Sequence, residues 1–249
     1  MSETIVIIPS RLEAKRLPEK PLKLINNIPM ILHVYNRAIE SEVGNVWVAT
    51  PDKEINDVVK NASGKSILTS NKPQTGTDRV FEAYEKLNLK GINLIINLQG
   101  DSPNLDPKII IKLENLMKKT NSEIGTLAAK IIDDKEIIDS NIVKVKTKKP
   151  LNDTNFLKSE DFFRIGNIKN KINTYHHCGI YCYKLSALNK YINLSRSVNE
   201  KTRSLEQMRL LDNNIDINVG LVSSAPHSVD TPNELEKIRK IMEYKKSNL

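Results

Sequence analysis

Cysteine is nearly missing from this chain, with only Cys178 and Cys182 among 249 residues. Usage that sparse belongs to a reducing compartment and excludes a secreted scaffold stapled by disulfides, so a cytoplasmic protein is expected. Long apolar runs are missing too, and nothing approaches the length of a membrane span. The polar start Met1 to Thr4 passes directly into the apolar run Ile5 to Ile8, closed by Pro9, so neither a signal peptide nor an anchor is expected there. Aromatics make up 5% of the residues, too few to assemble a base-stacking surface easily. No recognition-helix, RNA-binding or zinc-finger signature accompanies the net charge of +8. The lysines are scattered, largely over predicted helix surfaces and loops. Nucleic-acid binding is therefore only the out-of-class alternative, and neither nucleic acid nor membrane is an expected partner. Also absent are the Walker-type phosphate loop and the dinucleotide glycine fingerprint, which disfavours an ATPase or a dehydrogenase.

What is present is enough apolar material for one full-sized core, with 39% hydrophobic and 27% charged residues. The first half alternates short β-rich runs with helical patterns. Strands are predicted at Ile5 to Ile8, Val46 to Thr50, Ser66 to Leu68 and Leu94 to Leu98, and helices at Ile31 to Ser41, Glu54 to Asn61 and Thr77 to Leu87. That rhythm predicts an α/β fold built of βαβ units, with a mostly parallel sheet and helices on both faces. In such sheets, ligands bind at the carboxyl ends of the strands. The loops Pro9 to Lys20, Asn71 to Arg79 and Gln99 to Asn104 are therefore expected to converge.

Beyond the helix after Pro107 the strands become more isolated: Ile124 to Ala129, Val143 to Thr147 and Tyr175 to Tyr183. A long polar stretch, Lys148 to Asn173, separates the last two. We read residues 1–249 as one domain with an inserted sub-domain around 130–195. Two late helices, Thr202 to Asn213 and Pro232 to Tyr244, flank a strand near Ile217 to Leu221.

The segment Pro9 to Pro21 places Arg11, Lys15, Arg16 and Lys20 in one loop leaving the first strand. Cations held in such a loop can bind polyphosphate and stabilise a leaving pyrophosphate, whose charge grows in the transition state. The bland alternative is a solvated basic loop. Asp101 follows a strand and Asp230 opens a helix, and magnesium commonly takes one or two carboxylates with phosphates and water. Asp230 could instead cap the helix starting at Pro232, although Thr231 fills that position at least as well. Asp101 could be an ordinary turn residue before Ser102-Pro103.

His176, His177, Cys178 and Cys182 invite a zinc reading. On one strand, at roughly 3.3 Å per residue, the two cysteines would stand about 13 Å apart, too far for shared metal or a disulfide. Cys178, Ile180 and Cys182 fall on one face and read as core, while His177, Gly179 and Tyr181 share the other. His33 lies in an apolar helical pattern and reads as structural.

The basic loop resembles one family when read together with Pro29-Met30-Ile31, Thr75-Gly76-Thr77-Asp78-Arg79, Asn97-Leu98-Gln99-Gly100-Asp101, Gly179-Ile180-Tyr181, Leu205-Glu206-Gln207-Met208-Arg209 and Val229-Asp230-Thr231-Pro232. That order, across nearly the whole chain, is similar to the 3-deoxy-manno-octulosonate (Kdo) cytidylyltransferases, or CMP-Kdo synthetases. The resemblance implies a Rossmann-like α/β nucleotidyltransferase fold, with a small inserted dimerisation element that makes a homodimer. It implies an enzyme that joins CTP to Kdo, giving CMP-Kdo and pyrophosphate for lipopolysaccharide synthesis. Carried over by position, Arg11, Arg16 and Lys20 contact the triphosphate, and Thr75 and Gln99 help bind cytidine. Asp101 and Asp230 hold Mg2+, and Asp101 also belongs to the nucleotide site. Arg11, Lys20 and Asp101 are the expected catalytic residues. Lys158, His177, Tyr181, Glu206 and Gln207 are the expected sugar contacts.

The sequence departs from the family pattern at Ser102, where a glutamate is usual, and at Pro73, where a histidine is usual. Asn155-Phe156-Leu157-Lys158 stands for Tyr-Phe-Ser-Arg, and Thr202-Arg203-Ser204 replaces a glutamate-containing stretch. Lysine keeps the charge of arginine but lacks its two-pronged fork. Nucleotide and metal elements thus match better than sugar elements. A related acid, such as 8-amino-Kdo or another nonulosonic acid, is the alternative substrate, and a catalytically weak nucleotide-binding paralogue is a third reading.

Overall fold

The computed structural model describes residues 3–14, 16–167 and 171–246, so Lys15 of the basic loop and residues 168–170 of the polar stretch lie outside the described residues. The chain forms two units, one of Met1–Ile92, Ile96–Ile111 and Pro226–Leu249, the other of Asn93–Ile95 and Lys112–Ala225. The fold is mixed α/β. No helix among the described residues is long and apolar enough to cross a membrane.

The first unit is built on β1 (Thr4–Pro9), β4 (Asn45–Thr50), β5 (Ser66–Leu68) and the later part, from Ile96, of β6 (Leu94–Leu98), in the order β5-β4-β1-β6. A separate two-stranded piece joins β2 (Leu24–Ile25) to β3 (Ile28–Pro29). β1 pairs in parallel with β4, and β4 with β5. Ile5, Val6, Ile7 and Ile8 are all fully buried, which is why β1 reads as a continuous β-branched run and not as an alternating one. The first helix, α1 (Met30–Glu40), buries Met30, Ile31, Val34, Tyr35 and Ala38, a single stripe at helical spacing. Met30, Ile31 and Val34 each contribute roughly 1.5–3 kcal/mol by leaving water. His33 Nε2 donates to the Ile25 carbonyl, the structural role expected of it.

α2 (Lys53–Asn61) follows β4, and α3 (Gly76–Leu87) precedes β6. Thr75 caps α3 by accepting the Asp78 N–H, while its own N–H donates to the Asp78 carboxylate, a reciprocal pair that satisfies two helix-end donors. The last helix, α9 (Pro232–Lys246), starts in the same way, with Thr231 accepting from the Glu234 N–H and Glu234 accepting from the N–H groups of Thr231 and Asp230. Val229, Leu235 and Ile238 pack with Leu17, Ile25 and Met30 in one buried cluster. That cluster ties the basic loop and the start of α9 to α1.

The second unit contains β7 (Ile124–Lys130), β8 (Lys144–Thr147), β9 (Phe156–Phe163), β10 (Thr174–Lys184) and β11 (Asn218–Val222). They follow the order β10-β7-β11-β9-β8, and β8 pairs again with β10, so the five strands close on themselves. Among the described residues, only β7 and β11 run parallel here. The mostly parallel sheet expected from the sequence does not describe the second unit, where antiparallel pairing prevails. Helix α4 (Pro107–Lys119) lies close to this sheet, because a Cβ at Gly125 would come within 2.7 Å of Met117 Sδ and one at Gly220 within 2.5 Å of Leu116 Cδ1. Cys178 and Cys182 are buried free thiols, and burial pushes the Cys178 thiol up to about 12.

The short α5 (Lys135–Ile138), α6 (Leu185–Ile192), α7 (Val198–Arg203) and α8 (Met208–Leu211) complete this unit. The single helix expected at 202–213 is instead the pair α7 and α8. A capping box of Ser197 and Glu200 starts α7 early, and Ser204 ends it at φ 53°, where its N–H returns to the Glu200 carbonyl. The Glu200 carboxylate, 1% exposed, receives Arg209 Nε at 2.9 Å and an Arg209 amino group at 2.7 Å. Arg196 Nε adds a third bond at 2.8 Å, and the Arg209 guanidinium stacks over Tyr191 at 4.2 Å.

Burial opposes ionisation of Glu200, but Arg209 and Arg196 outweigh it and hold the carboxyl below its ordinary value. The stability this contributes is present above the unfolded-state pKa and is lost as pH falls through the lowered folded value. Arg209→Met, which leaves the buried carboxylate only Arg196 and the Ser197 N–H as partners, is expected to cost at most about 3–5 kcal/mol at neutral pH, the range for a buried charge left wholly unpaired. The deficit should shrink as acid neutralises Glu200, which urea melts at several pH values would measure.

Candidate active site

The carboxyl ends of β1 and β6, the start of α3 and the start of α9 surround a pocket of about 440 Å³ in the first unit. Arg11, Arg16, Lys20, Thr75, Gln99, Asp101 and Asp230, the seven nucleotide and metal residues expected from the sequence, all line it. Arg11 and Arg16 are exposed on the basic loop, while Leu17 between them and Lys20 is buried in the cluster with Val229. The Val229 N–H donates to the Asp101 carbonyl at 2.9 Å. Apolar packing and this bond bring Asp101 and Asp230 together.

Lys20 Nζ donates to Asp230 Oδ1 at 2.9 Å and to Asp101 Oδ2 at 3.2 Å. Arg16 reaches the other Asp230 oxygen at 3.1 Å. Burial by itself lowers the pKa of the Lys20 ammonium, but Asp101 and Asp230 more than reverse this and raise it above the ordinary value. The capping box of α9 leaves the Asp230 side chain to these cations, so Thr231 and not Asp230 is the cap. Two carboxylates that already converge on one cation offer the hard oxygens that magnesium takes singly or in pairs. No cluster of three or more metal-ligating side chains occurs among the described residues, so phosphate and water would complete the shell. The pair fits the ion.

On the opposite wall, Gln99 Nε2 donates to Asn97 Oδ1 at 3.0 Å, and Asn97 Nδ2 donates to Thr77 Oγ1 at 3.0 Å. This chain of amides fixes the Gln99 head. A Cβ at Gly76 would stand 3.2 Å from Gln99 Nε2, so the glycine lets the α3 terminus approach it. Two lining residues escaped the sequence reading. Arg79 is buried, donates to Thr69 Oγ1 at 2.5 Å and to the Ser70 carbonyl at 3.1 Å, and is made less basic by burial and then by neighbouring Arg11. Its place in the Thr-Gly-Thr-Asp-Arg segment was the available signal. Ser10 Oγ is buried with no partner among the described residues, and nothing in its spacing marks it.

The five residues expected to contact sugar lie in the second unit. His177 and Tyr181 pack with ring centroids 5.3 Å apart, and Glu206 is near enough to raise the Tyr181 hydroxyl's pKa further, after burial and Tyr183. Burial, with a smaller push from His176, takes the His177 imidazole down to about 3, so it is neutral at physiological pH. Gln207 is buried beside Glu206. Lys158 is exposed on β9 and ion-paired with Asp216, and Arg203 pairs with Asp161 at 2.6 Å.

Residues 5–217 match the cytidylyltransferase family model. Over 251 aligned positions the chain is 41% identical to the 3-deoxy-manno-octulosonate cytidylyltransferase of Thermodesulfovibrio yellowstonii, covering 96% of this chain and 98% of that one. The chain belongs to the 3-deoxy-manno-octulosonate cytidylyltransferase family. The family member from Rhizobium etli is 38% identical over 97% of this chain and 96% of its own length. A solved CMP:2-keto-3-deoxy-manno-octonic acid synthetase complexed with CTP superposes with a TM-score of 0.87 at 34% identity, covering 98% of this chain and 100% of that one.

Because Lys20 joins Asp101 and Asp230, its removal and theirs cannot be independent. Lys20→Met and Asp230→Asn, measured singly and together by chemical denaturation, should depart from additivity by roughly 0.5–3 kcal/mol, as contacting pairs do. Additive effects would show that the ammonium does not hold Asp230.

Proposed function

We propose that the protein transfers the cytidylyl group of CTP to Kdo, releasing pyrophosphate and supplying CMP-Kdo for lipopolysaccharide synthesis. The observation that carries this reading is the meeting of Asp101, Asp230 and Lys20 in a pocket rimmed by Arg11, Arg16 and Arg79, in a chain of this family. The anomeric hydroxyl of the sugar attacks the α-phosphorus in line, the new P–O bond replaces the bond to pyrophosphate, and the hydroxyl proton passes to solvent. Arg11, Arg16 and Lys20 hold the β- and γ-phosphates and stabilise the charge that collects on the leaving group. Thr75 and the amide-fixed Gln99 hold cytidine, and the partnerless Ser10 hydroxyl offers a further bond at that wall. Asp101 and Asp230 hold magnesium, which when bound offsets the charge of the anionic reactants. Positioning and electrostatics carry the acceleration, without a covalent intermediate.

On this reading His177, Tyr181, Glu206 and Gln207 receive the sugar. Lys158 is already paired with Asp216, so its use by the sugar carboxylate requires breaking an exposed ion pair, which costs little. What keeps a related acid such as 8-amino-Kdo or another nonulosonic acid as the second reading is the lysine itself, which lacks the two-pronged fork of the arginine usual at that place.

The protein also acts as a homodimer in this proposal, with the second unit as the contact. Ile132, Ile138, Ile165 and Ile172 are all exposed there. The Asp134–Lys171 ion pair and the bond from the Gly166 N–H to the Ile137 carbonyl draw their two segments side by side. Sedimentation of the wild type as a dimer, and of Ile138→Glu/Ile172→Glu as a monomer, is the expected result.

Pyrophosphate release from CTP, magnesium and Kdo, run beside 8-amino-Kdo and sialic acid, tests the reaction. Turnover with Kdo that falls by about 10²-fold or more in Asp101→Ala, a loss on the scale of one electrostatic contact to the reacting groups, is expected. Turnover with another acid alone would replace the substrate and keep the chemistry. No turnover with any acid, despite CTP binding, would leave a nucleotide-binding protein.

A further inference from the structure

The antiparallel ladder between β7 and β10 is interrupted once. Cys178 lies opposite Leu127 and Tyr181 opposite Thr126, so Gly179 and Ile180 bulge out of register. A bulge leaves backbone groups outside the ladder, and a buried carbonyl must find a donor. Here Thr126, fully buried on β7, supplies it: its Oγ1 stands 2.6 Å from the Ile180 carbonyl oxygen, and 3.4 Å from that of Cys178. The same Oγ1 lies 2.9 Å from His177 Nε2.

A threonine hydroxyl has one proton to give. The Ile180 carbonyl can only accept, and at 2.6 Å it takes that proton. The contact with His177 therefore runs the other way, from Nε2–H to the threonine oxygen. We propose that Thr126 is a positioning residue for His177, fixing its imidazole as the Nε2–H tautomer and so presenting Nδ1 as a hydrogen-bond acceptor to a hydroxyl of the acidic sugar. The inference rests on the reading of His177 as a sugar contact.

The surroundings agree with a fixed ring. Phe162 meets the imidazole edge-on at 5.2 Å and 86°, and Tyr181 packs against it. A half-turn of the ring would move Nε2 away from Thr126 and forfeit the bond. Burial keeps the ring neutral, so Nδ1 carries a lone pair and no proton. Beside it, the Tyr181 hydroxyl is buried with no partner among the described residues. A neutral acceptor nitrogen takes an alcohol and repels a carboxylate, so this position selects a sugar hydroxyl, and the acid group has to be received elsewhere.

The test uses the full chain labelled with ¹⁵N-histidine. Long-range ¹H–¹⁵N spectra of the unliganded wild type should place the His177 proton on Nε2. A proton on Nδ1 overturns the proposal without any variant. Thr126→Val should release the tautomer into a mixture and raise KM for Kdo roughly 3- to 10-fold, the worth of one neutral hydrogen bond, with KM for CTP unchanged. Thr126→Ser, which restores the hydroxyl, should restore both and guards against a valine variant that merely folds poorly. If His177→Ala raises KM for Kdo while Thr126→Val moves neither tautomer nor KM, the role of Thr126 fails and the sugar contact stands. If His177→Ala leaves KM for Kdo unchanged, the sugar contact itself fails and the proposal with it.

Discussion

Lys20 is the hub on which the first unit depends. Its ammonium is largely enclosed, and a lone buried cation would be costly. Asp101 and Asp230 balance it, but neither carboxylate would tolerate the other at close range without the cation between them. The three charges are thus mutually necessary, and each arrives on a different element: the loop after β1, the end of β6 and the start of α9. Apolar packing of Leu17 against Val229, Leu235 and Met30 does the assembling. The charges then fix the final arrangement. Polar groups cluster at the strand ends because the strands themselves, such as Ile5 to Ile8, are buried on both faces and have no room for them.

The second unit obeys a different constraint. Its five strands close on themselves, so side chains from strands that are not hydrogen-bonded neighbours can meet, as Phe162 of β9 and His177 of β10 do. Polar groups caught there need partners nearby, and Thr126 serves a side chain and a backbone carbonyl at once, His177 and Ile180. Outside the strands, Glu200 and Arg209 meet the same demand with a fully enclosed ion pair. Lys144 does so without a carboxylate, donating to the carbonyls of Asp139, Ile142 and Arg164.

Much of this was legible in the sequence where local pattern and burial coincide. β5 and β6 fall on their predicted bounds, and α1, α2 and α3 begin within a residue of them, because each carries an uninterrupted apolar period. The pocket was legible because Arg11, Gln99 and Asp101 come just after such strands and Thr75 and Asp230 just before helices. β9 was not, since Phe156–Phe163 reads Phe-Leu-Lys-Ser-Glu-Asp-Phe-Phe and buries only Phe162 fully. It is a strand because β8 and β11 both pair with it, information that lies far away in the chain. The break between α7 and α8 was hidden for a related reason: Ser204 adopts a left-handed backbone that composition does not demand of a serine. Ser10 and Thr126 carry no spacing signal at all, since what distinguishes them is which atoms lie next to their hydroxyls.

The bulge in β10 has a consequence for how this chain can vary. Side chains along a strand alternate between faces, so one surplus residue would turn every later one to the opposite side. Gly179 and Ile180 are surplus together, and two half-turns cancel. His177 and Tyr181 remain on one side of the strand, and Cys178 and Cys182 on the other. Loss or gain of a single residue at this point, unless a one-residue bulge absorbed it, would turn a phenol to the face that now holds the thiols and a thiol to the face that now holds His177. The parity of this short segment, more than its composition, thus keeps His177 and Tyr181 on a shared face.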